Sequence, residues 1–458
     1  MNKIKKRRRV LAVMSLICIL LSGCGRRQVE FGDEENNIGE IKSGLADVLG
    51  IDERIWETEF VVQDESVQSV KINAPLEFPD VDHMSVISLK QKVFAAEEKK
   101  ALAENLLDGG SIYVHDKDKL PLWYIESRLS ELRGILNSFE YNKEDPSYPW
   151  TEEDDRAYET QKEERDALEA LKREATSEGV LPSDYSERLF LGESEGIHYV
   201  LGFDEPGVFY RAANPASFMH GKELLQNGTI YCYGGSVPAG RNLCTMKEEK
   251  AKNLAMDFVN RMGLSGYTVS DIQPLKWIQY DIQNYEEWMD GYEVVLVRNI
   301  NGVELTYRDY SDLIVEYMRG HNPSAVSWVG KYGQERICID INDAGVYECD
   351  LMYPYELGDT LSESTTMLSY ESVKSRIQSI IEAEPNPYCR TVGSGPMLYT
   401  KLNLEYMRIE SDGEYALVPV WQLMGMKNGS IYYLVCINAI DGSEINVAEE
   451  FAYIDEVQ

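Results

Sequence analysis

A chain of 458 residues with 43% hydrophobic and 10% aromatic content is long and apolar enough for two or three packed domains, which excludes a disordered chain. Its formal net charge is −33, and residues 1–27 hold eight positive and no negative side chains, leaving −41 on the rest. That balance argues against nucleic acid and anionic headgroups, whose phosphates need Lys and Arg, and favours a basic or cationic partner.

The N-terminus begins with Lys3, Lys5, Lys6, Arg7, Arg8 and Arg9 and no acid, followed by an apolar run from Val10 to Leu21. A run of that length fits the h-region of a signal peptide and falls short of the ~20 residues that span a bilayer. Leu21-Ser22-Gly23-Cys24 resembles a lipobox, which implies cleavage before Cys24 and diacylglyceryl transfer onto its thiol. Acyl chains bind a bilayer at ~0.8 kcal/mol per buried CH₂, so more than one chain anchors a protein without a transmembrane helix. The expected location is the extracytoplasmic face of the cell membrane, with residues 1–23 removed and 24–55 forming a lipidated tether.

Next come β-like segments at Phe60-Val61-Val62, Val67 to Ile72 and Val81 to Leu89, then a helical Ala95 to Leu107 ended by Gly109-Gly110. These suggest an N-terminal α+β module over 56–141. A charged segment, 142–180, follows Pro146 and Pro149 and predicts a mostly solvated linker helix from Thr151, whose hydroxyl caps the free amides while Asp154 faces the dipole. Its apolar stripe, Tyr158, Leu168, Leu171 and Ala175, is thin.

A middle module is expected over 181–358. Thr245-Met246-Lys247-Glu248 reads as a capping box opening a helix with Ala251, Leu254, Ala255, Phe258, Val259 and Met262 on one face and Gly263 as its stop. Strand-like runs follow at Trp277 to Ile282, Tyr292 to Arg298, Val303 to Tyr307, Val326 to Val329 and Arg336 to Ile341. Asn342 to Gly345 turns the chain into Val346 to Met352. The last module, 359–458, repeats this order. A helix over Tyr370 to Glu384 with Val373, Ile377, Ile380 and Ile381 on one face precedes strands at Leu402 to Ile409, Tyr415 to Leu423 and Ile431 to Ala439, then Asp441-Gly442 and Glu444 to Val447. The echo of Cys338-Ile339-Asp340-Ile341-Asn342 in Cys436-Ile437-Asn438-Ala439 reads as a diverged duplication. The fold class is therefore α+β, with helices packed on antiparallel sheets.

The lipobox, the linker helix at Thr151, Leu417-Val418-Pro419-Val420-Trp421 and Ile437-Asn438-Ala439-Ile440-Asp441-Gly442-Ser443 together resemble a family of uncharacterised Gram-positive lipoproteins over most of the mature chain. Helix, antiparallel strands and an Asp/Gly hairpin also look like PepSY-type domains of peptidase propeptides and envelope regulators. Neither resemblance brings catalytic residues to transfer.

Motifs for chemistry are mostly missing. His83, His115, His198, His220 and His321 show no His-Glu-x-x-His or helical pairing. Asp340-x-Asn342-x-Ala344-Gly345 starts like a calcium loop but has Ala at its fifth position and Leu351 at its twelfth, so a hairpin turn is expected. Ser394 lies in Gly393-Ser394-Gly395, outside a G-x-S-x-G frame. Asp80, Asp82 and His83 read as turn chemistry at a strand entry. No catalytic residue, cofactor or metal is assigned. Besides Cys24, the mature chain holds Cys232, Cys244, Cys338, Cys349, Cys389 and Cys436, which an exported compartment allows to pair. Cys338 and Cys349 face each other across an even loop and point to opposite faces if the register shifts by one.

Two function classes stay open, with a weaker third. The expected one is a non-catalytic binding or regulatory module of the cell envelope, contacting the membrane through lipid on Cys24 and taking a basic envelope protein or peptide as partner. The alternatives are a secreted hydrolase assembled from dispersed residues and a solute-binding lipoprotein. Trp277, Trp288 and Trp421, on or near strands, are available as interface anchors, although burial in their own core is the commoner fate of such residues. Cys24→Ala should move the protein from the membrane fraction to the soluble fraction. Mass spectrometry should place the mature N-terminus at Cys24, and another N-terminus contradicts the anchor.

Overall fold

A computed structural model describes residues 44–62, 69–107, 112–116, 118–145, 148, 150–175, 179–204, 207–213, 229–233, 241–280, 285–306, 326–328, 333–383, 396–411, 414–427, 430–447 and 451–453. In chain order these begin with helix α1 (Gly44–Leu49), strands β1 (Ile55–Phe60), β2 (Val70–Glu77) and β3 (Val86–Gln91), helix α2 (Ala96–Leu106) and the short β4 (Tyr113–Val114). Helices α3 (Leu122–Glu144) and α4 (Glu152–Lys172) follow, then β5 (Leu189–Ser194), β6 (Ile197–Asp204), β7 (Gly207–Ala212), β8 (Thr229–Tyr233) and helix α5 (Glu248–Arg261). Strands β9 (Tyr267–Tyr280), β10 (Tyr285–Ile300), β11 (Val303–Glu304), β12 (Val326–Trp328), β13 (Arg336–Asn342), β14 (Gly345–Met352) and β15 (Tyr355–Ser362) lead to helix α6 (Tyr370–Ala383). The last strands are β16 (Met397–Tyr399), β17 (Lys401–Ser411), β18 (Glu414–Lys427), β19 (Ser430–Asn438) and β20 (Phe451–Tyr453). The fold is α+β.

Two large sheets organise these elements. One runs β4-β5-β6-β7-β14-β13-β10-β9-β8, with β11 on β10, and its neighbours along this path are antiparallel. Ala251, Ala255, Phe258 and Val259 of α5 recur at i, i+4, i+7 and i+8, and they bury against Val294, Leu296, Ile337, Ile339 and Ile341. Each large apolar side chain buried this way contributes about 1.5–3 kcal/mol. The helix starts at Glu248 with Lys247, which has no side-chain acceptor, at its N-cap, and two residues earlier the Thr245 N–H donates 2.7 Å to Asp343 Oδ2. The capping box expected from Thr245 to Glu248 is therefore replaced by a tertiary contact. At Thr151 the box does form, with Thr151 Oγ1 accepting from the Asp154 N–H and Asp154 Oδ2 accepting from the Thr151 N–H.

The other sheet joins the two ends of the chain. Its order is β1-β2-β17-β18-β3-β15, with β16 on β2 and β19 on β18. The segments expected as separate modules over 56–141 and 359–458 thus share one sheet: β2 pairs with β16 and β17, and β3 with β18 and β15. Helix α2, from the first of those segments, packs instead into the core beneath α5. The expected linker 142–180 supplies one arm of a helical hairpin, α3 with α4, whose Leu129, Leu132 and Leu168 cover Leu191 and Val200 of β5 and β6. Alternation along Leu417 to Leu423 makes β18 a strand buried on both faces. Leu417, Trp421 and Leu423 join α1 and α6, while Val418 and Val420 meet Met407, Leu434 and Cys436.

Cys338 and Cys349 do not face each other. Asn342 pairs with Gly345, which sets a two-residue loop, but a bulge between Asp340 and Ile341 shifts the register so that Cys338 lies opposite Asp350 and Cys349 opposite Ile339. One extra residue on a strand sends the following side chains to the other face. Cys244, Cys338, Cys349 and Cys436 are free thiols.

The sheets are locked where β10 turns into β11. Asn301 (φ 53°) and Gly302 (φ 91°) form the turn, both at positive φ as a two-residue type I′ hairpin requires. That turn sends Ile300, Val303 and Leu305 into the core of the other sheet, and the Thr306 N–H donates 2.8 Å to the Tyr406 carbonyl. Below it, Arg298 pairs with the buried Glu335, Nη2 to Oε1 at 2.8 Å. Glu335 Oε1 also accepts from the Tyr355 N–H at 3.1 Å, and Arg298 donates to the Tyr355 carbonyl at 3.2 Å. Beside them Gln334 bonds both backbone groups of Arg408, whose guanidinium lies over the rings of Tyr353, Tyr355 and Tyr415. Removing one partner of a buried pair strands the other charge, at a cost of roughly 3–5 kcal/mol. Glu335→Ala should lower unfolding stability by about that amount in urea titrations, and a change below about 0.5 kcal/mol contradicts the locked seam.

Candidate functional site

On β13 the residues facing away from α5 are Arg336, Cys338, Asp340 and Asn342, in alternation with Ile337, Ile339 and Ile341 of the core. Strand registers line up a row across five neighbours of that face. Arg211 on β7 lies opposite Glu348 on β14, Glu348 opposite Asp340, Asp340 opposite Glu293 on β10, and Glu293 opposite Gln273 on β9. Three carboxyls therefore stand side by side on adjacent strands, where directly opposed like charges destabilise a sheet.

The ends of the row are tied. Arg211 Nε lies 2.9 Å from Glu348 Oε1, and its Nη2 donates to both oxygens of Asp350 at 3.0 and 3.1 Å. Gln273 donates its side-chain N–H to Glu293. Asp340, in the middle, is 3% exposed and its Oδ2 has no hydrogen-bond partner. Burial first, then the charges of Glu293, Glu348 and Asp350, push its carboxyl well above the ordinary carboxylate range, opposed by Arg211. Burial also raises Glu348, again against Arg211. A raised pKa favours the neutral form of Asp340, which relieves the repulsion between neighbouring acids. Perturbed, desolvated acids gather at functional sites more often than elsewhere.

Apart from Cys338, Asp340 and Asn342, the residues singled out from the sequence lie elsewhere. Asp82 and His83 line a cleft of about 260 Å³ with Val81, Ser85, Ile300, Asn301, Val303 and Tyr406, at the seam of the two sheets. His115 meets the Tyr124 ring edge-on, and His198 stacks on Trp123 at 4.4 Å. Trp288 and Trp421 are buried, at 1% and 0% exposure, and so are not surface anchors. Cys24, His220, His321, Cys389, Ser394 and the side chains of Cys232 and Trp277 lie outside the described residues. Asp340 and Asn342 do not form a calcium loop: they end β13, and Asn342 Oδ1 accepts from the Ala344 N–H within the turn. Among the described residues, no group of three or more His, Cys, Asp or Glu is placed to hold a metal ion, and no helix is long and apolar enough to cross a membrane. Arg211, Glu293, Glu348 and Asp350 were not recognised from the sequence. The alternation of Ile with Cys, Asp and Asn in β13 was the only signal there for a polar face.

No family model matches the chain, and no curated protein does. Among solved structures, it is similar to the 1.45 Å crystal structure of an uncharacterised protein from Eubacterium rectale ATCC 33656. That match is 11% identical, covers 88% of this chain and 99% of that one, and has a TM-score of 0.42.

The raised Asp340 carboxyl fixes the sign of a pH effect. The folded chain keeps a proton that the unfolded chain gives up near pH ~4, so this group's contribution to stability falls as pH rises from there towards the folded pKa. Asp340→Asn, which mimics the neutral acid, should match the parent near pH 4 and melt higher at pH 8, by roughly 2–4 °C per kcal/mol. A variant that is less stable at pH 8 contradicts the protonated row.

Proposed function

We propose that this chain is a lipid-anchored extracytoplasmic lipoprotein that binds a basic component of the cell envelope without transforming it. The anchor rests on the basic Lys3 to Arg9, the apolar Val10 to Leu21 and the lipobox-like Leu21 to Cys24. The binding role rests on one observation, the row of Glu348, Asp340 and Glu293 with Asp350 beside it, which Arg211 meets at Glu348 and Asp350. Acids concentrated on one sheet face complement a positive partner and speed its approach. The seam cleft, open at Asp82 and His83, lies apart from the row.

We also read Lys247 to Met352 and Tyr370 to Val447 as copies of one PepSY-like unit. In both, a helix precedes an antiparallel meander, and Cys338 and Cys436 lie on strands that run into the closing turn, β13 and β19. A second functional reading, hydrolysis, draws on the same row, because a neutral Asp340 next to another carboxyl is an acid-base arrangement.

Recovery from detergent-solubilised membrane and wall fractions tests the binding reading. The full chain should retain a basic protein or peptide, with retention falling as salt rises from 50 to 500 mM, on the order of the range in which surface charges become screened. Retention of nothing, together with turnover of a glycan, ester or peptide that Asp340→Asn abolishes, installs the hydrolase instead.

A further inference from the structure

The geometry points to the centre of the row as a pocket for one organic cation, the ammonium or guanidinium group of a basic side chain on a partner, held between Asp340, Glu293 and Glu348. This inference rests on the binding reading above and names the chemistry of its ligand. Two observations carry it. The first is the row itself, in which carboxyls from β14, β13 and β10 occupy consecutive registered positions on one face. The second is Asp340 Oδ2, buried and without a hydrogen-bond partner, among the carboxyls of Glu293, Glu348 and Asp350. A buried acceptor left unsatisfied costs about 1–3 kcal/mol, and a donor brought by a ligand removes that cost.

The spacing selects the class of cation. Side chains paired across antiparallel strands start from Cβ atoms about 4.5–5.5 Å apart, so each carboxyl stands off from its neighbour. A bare ion such as calcium needs six to eight oxygens converging at about 2.3–2.6 Å, and among the described residues no three acids are placed that way. An ammonium with three N–H donors, or a guanidinium with five, reaches carboxyls that are set apart. The chain shows this chemistry in its own Arg211, which spans Glu348 and Asp350 from a neighbouring strand.

Arg211 also marks the way in. Its side chain is 44% exposed, against 28% for Glu348 and 22% for Asp350, so the row opens to solvent at the β7 edge and closes towards Asp340. Among the described residues of these strands, the charged and titratable groups on this face include Arg211 from β7, Glu348 and Asp350 from β14, Arg336, Cys338 and Asp340 from β13, Glu293 from β10 and Asp271 from β9. A ligand cation adds positive charge beside Asp340 and draws off its proton, so that binding and proton release are linked.

Titration calorimetry on the full chain solubilised in detergent, with hexa-arginine, hexa-lysine and calcium chloride as probes, decides this. The basic peptides should bind with net release of protons, read from buffers of different ionisation enthalpy. Asp340→Asn should weaken them about tenfold or more while keeping its melting transition. Arg211→Gln, which removes the resident competitor, should tighten them. Equal affinity in the parent and Asp340→Asn overturns the pocket but leaves the binding reading standing. The same holds if neither peptide binds while the chain still retains an envelope partner. Calcium binding that Asp340→Asn abolishes, with no peptide binding, overturns the choice of an organic cation.

Discussion

The architecture depends on one crossing. The chain leaves the first sheet at β3, builds the second between β4 and β14, and returns to the first through β15, so strands from residues 55–91 and 355–438 belong to one sheet. Such an arrangement needs the second sheet held in a fixed place against the first, and the β10–β11 hairpin does this. Its Asn301-Gly302 turn projects Ile300 and Val303 into the foreign core, and the Arg298–Glu335 pair neutralises the charges buried beneath them. Tyr355, the first residue of the returning β15, donates to the same Glu335 carboxyl. The residue that fixes the seam thus also fixes where the chain re-enters the first sheet.

The carboxylate row is the part of the molecule that this rigidity serves. A hairpin with a bulge between Asp340 and Ile341 places Asp340 opposite Glu348, and without the bulge the register puts Asp340 opposite Tyr347 instead. The same shift separates Cys338 from Cys349. A local irregularity in one strand therefore decides both that acids stand side by side and that two thiols do not meet. The sheet tolerates the row because Arg211 and Gln273 bind its ends and because burial and the neighbouring acids push the Asp340 carboxyl towards its neutral form. The proposed binding role would account for retaining this arrangement where apolar pairs pack without penalty.

What was legible in the sequence follows from the range of the interactions. Helices α5 and α6 were visible because Ala251 to Val259 and Val373 to Ile381 repeat at helical spacing, a property of the segment alone. The strands expected at Arg336 to Ile341 and Tyr415 to Leu423 were visible from the run of β-favouring residues within each segment. Helix α3 was passed over, although Ile125, Leu129, Leu132 and Leu136 form a regular stripe. The partners of β2 and β3 were not legible, since pairing between residues 70–91 and 397–427 leaves no trace in either segment. The expected module boundaries at 141 and 359 do not separate the sheets, because β2 and β3 pair with β15 to β18. The row escaped likewise. Arg211, Asp340 and Glu293 come from three separated strands, and only the register, bulge included, brings them together.

The central claim is that a neutral Asp340 sits inside a row of acids and is the group a cation titrates. Carbon-13 spectroscopy of aspartate-labelled protein, with Asp340→Asn assigning the resonance, measures this directly. A carboxyl that titrates well above the ordinary aspartate range, and that shifts towards the carboxylate position when hexa-arginine is added, is the expected result. A resonance that titrates near pH ~4, as an ordinary aspartate does, and ignores the peptide contradicts it.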